Sequence, residues 1–181
     1  MKWDPTHTQK IKDNAGRVYV ILSRDVQGVP TIKKIGKSEC KGGMKTTFAF
    51  YQGGLGGSPS IRTFGIHLLI ANELNIGNAI EIWGIWTNPI TIKVSGLFEE
   101  EEQVVYPSIH SMEDKCRRDY QTAVGNYPPW NFQERGAPWP EFVQLEYKKQ
   151  VASRPTQEER EARKKQKAET KTRNQSSVDI C

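Results

Sequence analysis

At 181 residues with a formal net charge of +5, the chain has room for one domain of ordinary size and a tail. No stretch of about 18 apolar residues occurs, which argues against a membrane-spanning helix, and the opening Met1-Lys2-Trp3-Asp4-Pro5 lacks the apolar core of a signal peptide, so a cytoplasmic protein is expected. Three cysteines (Cys40, Cys116, Cys181) without C-x-x-C spacing and three histidines (His7, His67, His110) argue against a disulfide framework and a structural zinc site.

The charge is unevenly placed. From Val151 onward eight Lys/Arg stand against five Asp/Glu, so the tail carries most of the excess. The body is close to balance, with basic clusters at 33–45 and 115–118 and an acidic run from Glu99 to Glu102. Such a distribution permits nucleic-acid binding without indicating it.

In chain order, residues 1–15 are polar and without a period, and are expected to form an arm. Val18 to Leu22 is β-branched and aromatic and predicts a buried strand. A turn at 26–30 leads to a second strand, 31–36, paired back on the first. A short helix is expected around 44–52, followed by the glycine-rich loop Gly53-Gly54-Leu55-Gly56-Gly57. Ser58-Pro59 has the form of an N-cap followed by proline at the first helical position. Ile61, Phe64, Leu68 and Ala71 then recur at helical spacing, with Asn75 to Gly77 as the stop.

Ala79 to Thr87 alternates and predicts a strand, Ile90 to Ser95 another, and Asn88-Pro89 the turn between them. Ser111-x-x-Asp114 has the form of a capping box opening a helix to about Val124, which places Glu113 in its first turn. Gly125 to Asn131 is a loop, and the aromatics of 138–147 predict order there. After Pro155 almost nothing is apolar, and a boundary near 150 separates a body (1–150) from a charged tail (151–181), helical or disordered. The fold class expected is α+β, a small central antiparallel sheet flanked by helices.

Several residues invite a chemical reading, each beside an ordinary one. Tyr19 in a strand is commonly a core residue. Gly36-Lys37-Ser38 is not a phosphate loop, because the upstream glycine of the Walker pattern is missing. Glu113 in a first helical turn would be explained by the helix dipole alone. His67 is expected to be structural, and His110 has no evident partner. Glu99 to Glu102 has the composition of a solvated loop. Arg117 and Arg118 are surface charge or phosphate contacts. The aromatics Phe48 to Tyr51, Trp130 and Trp139 could stack on bases.

The order of these motifs, β-hairpin, helices, strand, a helix with an early glutamate and then Pro128-Pro129-Trp130-Asn131, resembles the GIY-YIG nuclease superfamily over roughly residues 16–132. Within it the likeness is to phage endonuclease II and the small type II restriction endonucleases. Val18-Tyr19 stands for the first triplet. Lys34-Ile35-Gly36 stands for the second, with Lys34 in place of the usual tyrosine and Lys37 following. The resemblance implies an endonuclease hydrolysing double-stranded DNA with Mg²⁺ or Mn²⁺ and leaving a 5′-phosphate and a 3′-hydroxyl.

It implies Glu113 as the metal ligand, with Tyr120 seven residues on at the spacing of the motif helix, and leaves Asp119, twelve residues before Asn131, as the competing ligand. It also implies Tyr19 to orient or deprotonate the attacking water with Lys37 as a neighbouring cation, and Asn131 to hold the site's loop. The arginine expected on the helix after the second triplet is absent from 38–50, and Arg62 is favoured as its substitute, with Lys45 second. Lys34, Gly36, Lys45, Arg117 and Arg118 would contact substrate. A homodimer or higher homo-oligomer would suit cutting two strands, and a catalytically degenerate DNA-binding module of the same fold is the alternative.

Overall fold

The computed structural model describes residues 17–86, 90–98, 100–106, 108–156, 158, 159, 161 and 166. The expected arm, the Asn88-Pro89 turn and most of the tail lie outside them. The order is β1 (Arg17–Arg24), β2 (Pro30–Ser38), α1 (Gly43–Gln52), α2 (Ile61–Asn75), β3 (Ala79–Trp86), β4 (Ile90–Val94), β5 (Glu102–Tyr106), α3 (Ile109–Val124) and α4 (Glu141–Ala152). The class is α+β: among the described residues there are an antiparallel three-stranded sheet in the order β2-β1-β3, a separate two-stranded sheet β4-β5, and four helices.

The hydrophobic run Val18 to Leu22 suits β1 to the centre of the sheet, where its backbone is paired on both edges and helices α1 and α3 pack on it. Its hairpin to β2 closes at Asp25, whose carboxylate accepts the backbone N–H groups of Gln27 and Val29, with Gly28 at positive φ. Tyr19, Ile21, Met44, Phe48, Ile66 and Val143 form the heart of the core. Phe48, Tyr51 and Trp130 belong to it, so they face inward and are not a stacking surface for bases.

Several boundaries differ from expectation for identifiable reasons. The cap of α2 is Ser60, whose Oγ accepts the Thr63 N–H. Pro59 stays outside the helix, its carbonyl accepting from Tyr147 and Arg154. The buried residues of α2 are Phe64, Gly65, Ile66, Leu69 and Glu73 rather than the single stripe expected. The helix is wedged between β3, α1 and α4, and covering on several sides widens its buried face. Close packing against α4's approach is visible at Gly65, where a Cβ would lie 2.5 Å from the Trp139 ring. His67 is structural, as expected: Nδ1 donates to the Tyr51 carbonyl at 2.7 Å.

β3 does not form a hairpin with β4. Among the described residues it pairs with β1 alone, while β4 pairs with β5. The acidic run hides β5, since Glu102 begins a strand whose remaining residues, Gln103-Val104-Val105-Tyr106, favour extended backbone. The cap of α3 is Ser108, not Ser111: Ser108 Oγ accepts the Ser111 N–H at 3.1 Å. Glu113 therefore lies beyond the first turn, and the helix dipole does not account for it. At the tail, Thr156 and Glu159 accept each other's backbone N–H, a reciprocal cap.

Candidate active site

Tyr19 lies at the middle of the central strand, opposite Gly36 on β2 and Gly84 on β3. A Cβ on Gly36 would fall 2.5 Å from the Tyr19 ring, so glycine is what lets the phenol cross the neighbouring strand. The ring packs edge-on against Phe48 at 5.0 Å, and its hydroxyl shares a 2.8 Å hydrogen bond with that of Tyr51. Burial, then the neighbouring Tyr51, pushes the Tyr19 phenol well above its ordinary value. The opposing positive influence is that of Arg62. At neutral pH Tyr19 is a protonated phenol.

Glu113 is the one residue of α3 that is buried, at 9% exposure. Its carboxylate stands 3.7 Å from Lys37 Nζ and 3.8 Å from Arg117 Nη2, too long for hydrogen bonds to either cation. An apolar helix face would be the ordinary way to dock α3 on the sheet. Here a charged side chain is buried instead, between two cations that offset its desolvation.

Lys34, at 8% exposure, points into the same region. Burial, then repulsion from Arg62, lowers its pKa to about 8, against the attraction of Glu134 and Glu113. Lys37 neighbours the His110 ring, with Nε2 3.2 Å away, and His110 in turn lies 3.0 Å from Glu39. His110 thus has partners that the sequence did not reveal.

Asn131 fastens the arrangement. Its Oδ1 accepts the Ile35 N–H and its Nδ2 donates to the Ile35 carbonyl, both at 2.9 Å, while the Trp130 N–H donates to the Lys33 carbonyl at 2.8 Å. The loop after α3 thereby pairs with the outer edge of β2 as a strand would, and sets the segment that carries Lys34, Gly36 and Lys37.

Tyr19, Lys34, Gly36, Lys37, Glu113 and Asn131 accordingly meet in one place, with Arg62 near enough to act on Tyr19, Lys34 and Tyr51. Arg62 itself is exposed and donates to Gln133 at 3.1 Å. Lys45 lies off the buried face of α1, and Arg118 and Asp119 lie on the exposed side of α3, Asp119 paired with Lys115 at 3.3 Å. Arg117 is engaged by Glu134 and Asp114 beside Glu113, so it neutralises carboxylates rather than offering a free guanidinium to phosphate.

Two members escaped sequence reasoning. Tyr51 could have been found from its i+3 spacing after Phe48, which puts both rings on one helix face. Glu134 gave no signal, because it reaches the cluster only through the fold of the loop after Asn131.

Among the described residues no group of three His, Cys, Asp or Glu suited to a metal occurs, so the donor set is the single Glu113 carboxylate. Its oxygens lie beyond hydrogen-bond reach of both neighbouring cations and keep lone pairs for a ligand. One carboxylate with the remaining positions taken by water and phosphate suits Mg²⁺ or Mn²⁺. The residues fit such an ion. No family model, curated protein or solved structure matches the chain.

Proposed function

We propose that the chain is a metal-dependent endonuclease of GIY-YIG type that hydrolyses phosphodiester bonds of double-stranded DNA. One observation carries the reading. Tyr19, Lys34 and Glu113, from two strands and a distant helix, converge with Arg62 in a setting where burial of Lys34 works against stability. Polar groups held against their solvation preference are the usual mark of a site.

A bound Mg²⁺ or Mn²⁺ would neutralise phosphate charge and lower the pKa of a coordinated water. Glu113 would hold it. Tyr19, a protonated phenol whose hydroxyl is aligned by Tyr51, orients the attacking water by hydrogen bonding and does not itself accept a proton. Lys34, with a pKa of about 8, has ammonium and amine forms both accessible near neutrality. As ammonium it binds a phosphate oxygen, and as amine it accepts the proton of the attacking water. Arg62 meets the charge that develops on the phosphate. Asn131 keeps β2 in register and with it Lys34 and Gly36.

The second reading is a DNA-binding module of the same fold without catalysis. The absence of arginine from α1, where the superfamily carries one, together with Lys34 in the tyrosine position, favours it. One experiment separates the two. Purified protein is incubated with supercoiled plasmid in Mg²⁺ or in EDTA, beside folded Glu113→Ala. Mg²⁺-dependent nicking or linearisation, lost in the variant, is expected. Full activity in the variant would sink the assignment. No cleavage, with a metal-independent gel shift unaffected by Glu113→Ala, would establish the binding module.

A further inference from the structure

Glu73 lies in the last turn of α2, where its charge opposes the helix dipole, and it is buried at 9% exposure. Helix stability therefore does not account for it. Its carboxylate instead ties α2 to three other segments. Oε2 accepts from Ser23 Oγ on β1 and, at 2.7 Å, from Asn78 Nδ2 just ahead of β3, while Oε1 stands 3.0 Å from Lys33 Nζ on β2. Burial pushes the Glu73 pKa up, but the hydrogen bonds of Ser23, Asn78 and Lys33 outweigh it and hold the carboxyl below its ordinary value.

Lys33 is where β2 departs from regular pairing. Val20 faces Ile35 and Leu22 faces Ile32, positions two apart on β1 and three apart on β2. Ile21 faces Lys34, so Lys33 is the residue left over, a β-bulge. Side chains alternate along a strand, so Ile32 and Ile35 can share a face only if one residue between them is extra. In Ile32-Lys33-Lys34-Ile35 either lysine could be that residue, and the local sequence does not choose. The Glu73 carboxylate does. It is anchored at Ser23, next to Leu22, and so meets a bulge between Ile32 and Lys34. A bulge one residue later would lie about 3.3 Å farther along the strand.

We infer that Glu73 is a positioning residue: by holding Lys33 as the bulged residue it keeps Lys34 opposite Ile21, on the face that carries Tyr19, and so delivers the Lys34 side chain to the candidate site. The Trp130 N–H supports the same register from the outer edge of β2 by donating to the Lys33 carbonyl at 2.8 Å. Bulges beside active sites commonly re-aim a side chain in this way. The register is a property of the fold, and only its catalytic consequence rests on the nuclease reading.

The test cuts the tie at either end in the full chain. Glu73→Gln keeps the shape and drops the charge, and Lys33→Met keeps the apolar stem. Near-UV circular dichroism reports an intact fold, and if Glu73→Gln does not fold, Lys33→Met decides. Cross-strand nuclear Overhauser contacts between β1 and β2 then read the register. Wild type has Ile21 opposite Lys34 alone. In the variants a second register, with Ile21 opposite position 33, is expected. Lys33→Met should favour it more, because methionine takes the buried place without losing hydration. A folded Lys33→Met that keeps the wild-type register alone would overturn the inference and leave Glu73 a structural tie. Under the nuclease reading, kcat for plasmid nicking falls with the share of the wild-type register, about 10-fold where a tenth remains. Unchanged cleavage in a slipped variant would overturn the positioning role. A wild type that cleaves nothing would sink the nuclease reading, and the register alone would then decide the inference.

Discussion

Lys34→Met should stabilise the protein, and by an amount that depends on pH in a calculable way. The buried ammonium titrates at about 8 against 10.5 in an exposed lysine. At about 1.4 kcal/mol per pH unit, the fold disfavours the charged form by about 3 kcal/mol. The depressed value means that the unfolded chain holds the proton more tightly. Between pH 8 and 10.5 the unfolded state therefore binds more protons, and stability rises with pH through that window. At pH 7 both states are protonated and the full penalty is present; above 10.5 both are neutral and none remains.

Methionine keeps the apolar stem and removes the charge, while Glu134 and Glu113 keep Arg117 beside them, and Glu113 keeps Lys37 as well. The variant should gain about 3 kcal/mol at pH 7, about 2 at pH 9 and less than about 1 at pH 10. Urea unfolding of both proteins by circular dichroism at these pH values gives the difference directly, provided the slopes agree. A gain that does not change with pH, or a loss at pH 7, would refute the burial account of Lys34. Under the proposed function the same variant loses cleavage while gaining stability, a pairing that a merely structural lysine would not produce.

Gly36→Ala places a methyl 2.5 Å from the Tyr19 ring, so the ring must leave its hydrogen bond to Tyr51. A loss of about 1–3 kcal/mol is expected from overpacking, read as a lower urea midpoint, together with loss of plasmid cleavage; unchanged stability would show that the strand yields freely. Asn131→Ala removes both partners of the Ile35 peptide in a buried setting and should cost about 2–4 kcal/mol, with amide exchange quickening at Ile35. Unaltered protection at Ile35 would mean that another group pairs with the edge of β2.

The elements that were legible in the sequence are those whose signal is local. β1 announces itself by five consecutive apolar or aromatic residues, and α2 ends where Asn75 and Gly77 stop it. The order of Tyr19, Gly36, Glu113 and Asn131 could be read because each sits in a short recognisable context. What could not be read is pairing across distance. The hydroxyl of Tyr51 meets that of Tyr19 across 32 residues, and Asn131 meets Ile35 across 96. The engagement of Arg117 by Glu134 likewise depends on a loop that no periodicity describes. Caps were misplaced by two or three residues because Ser58 and Ser60, and Ser108 and Ser111, are chemically equal candidates, and only the path of the chain selects between them.

The architecture of the cluster explains why so few fixed points suffice. The central strand is held on both edges, so Tyr19 cannot shift along its axis without breaking pairing with β2 and β3 together. β2 would be free on its outer side, and a lysine projecting from a free edge would be poorly placed. Asn131 removes that freedom by supplying both halves of a strand pair to Ile35, adjacent in sequence to Lys34 and Gly36. The phenol and the ammonium are thus set by backbone hydrogen bonds, whereas Glu113 is set by the docking of α3 against β2, with Lys37 of β2 and Arg117 of its own helix on either side. Two rigid supports and one charge-balanced helix hold together polar groups that water would otherwise solvate separately. Breaking the Asn131 link should therefore disorder Lys34 before it disorders Tyr19, because β1 retains β3 when β2 loosens.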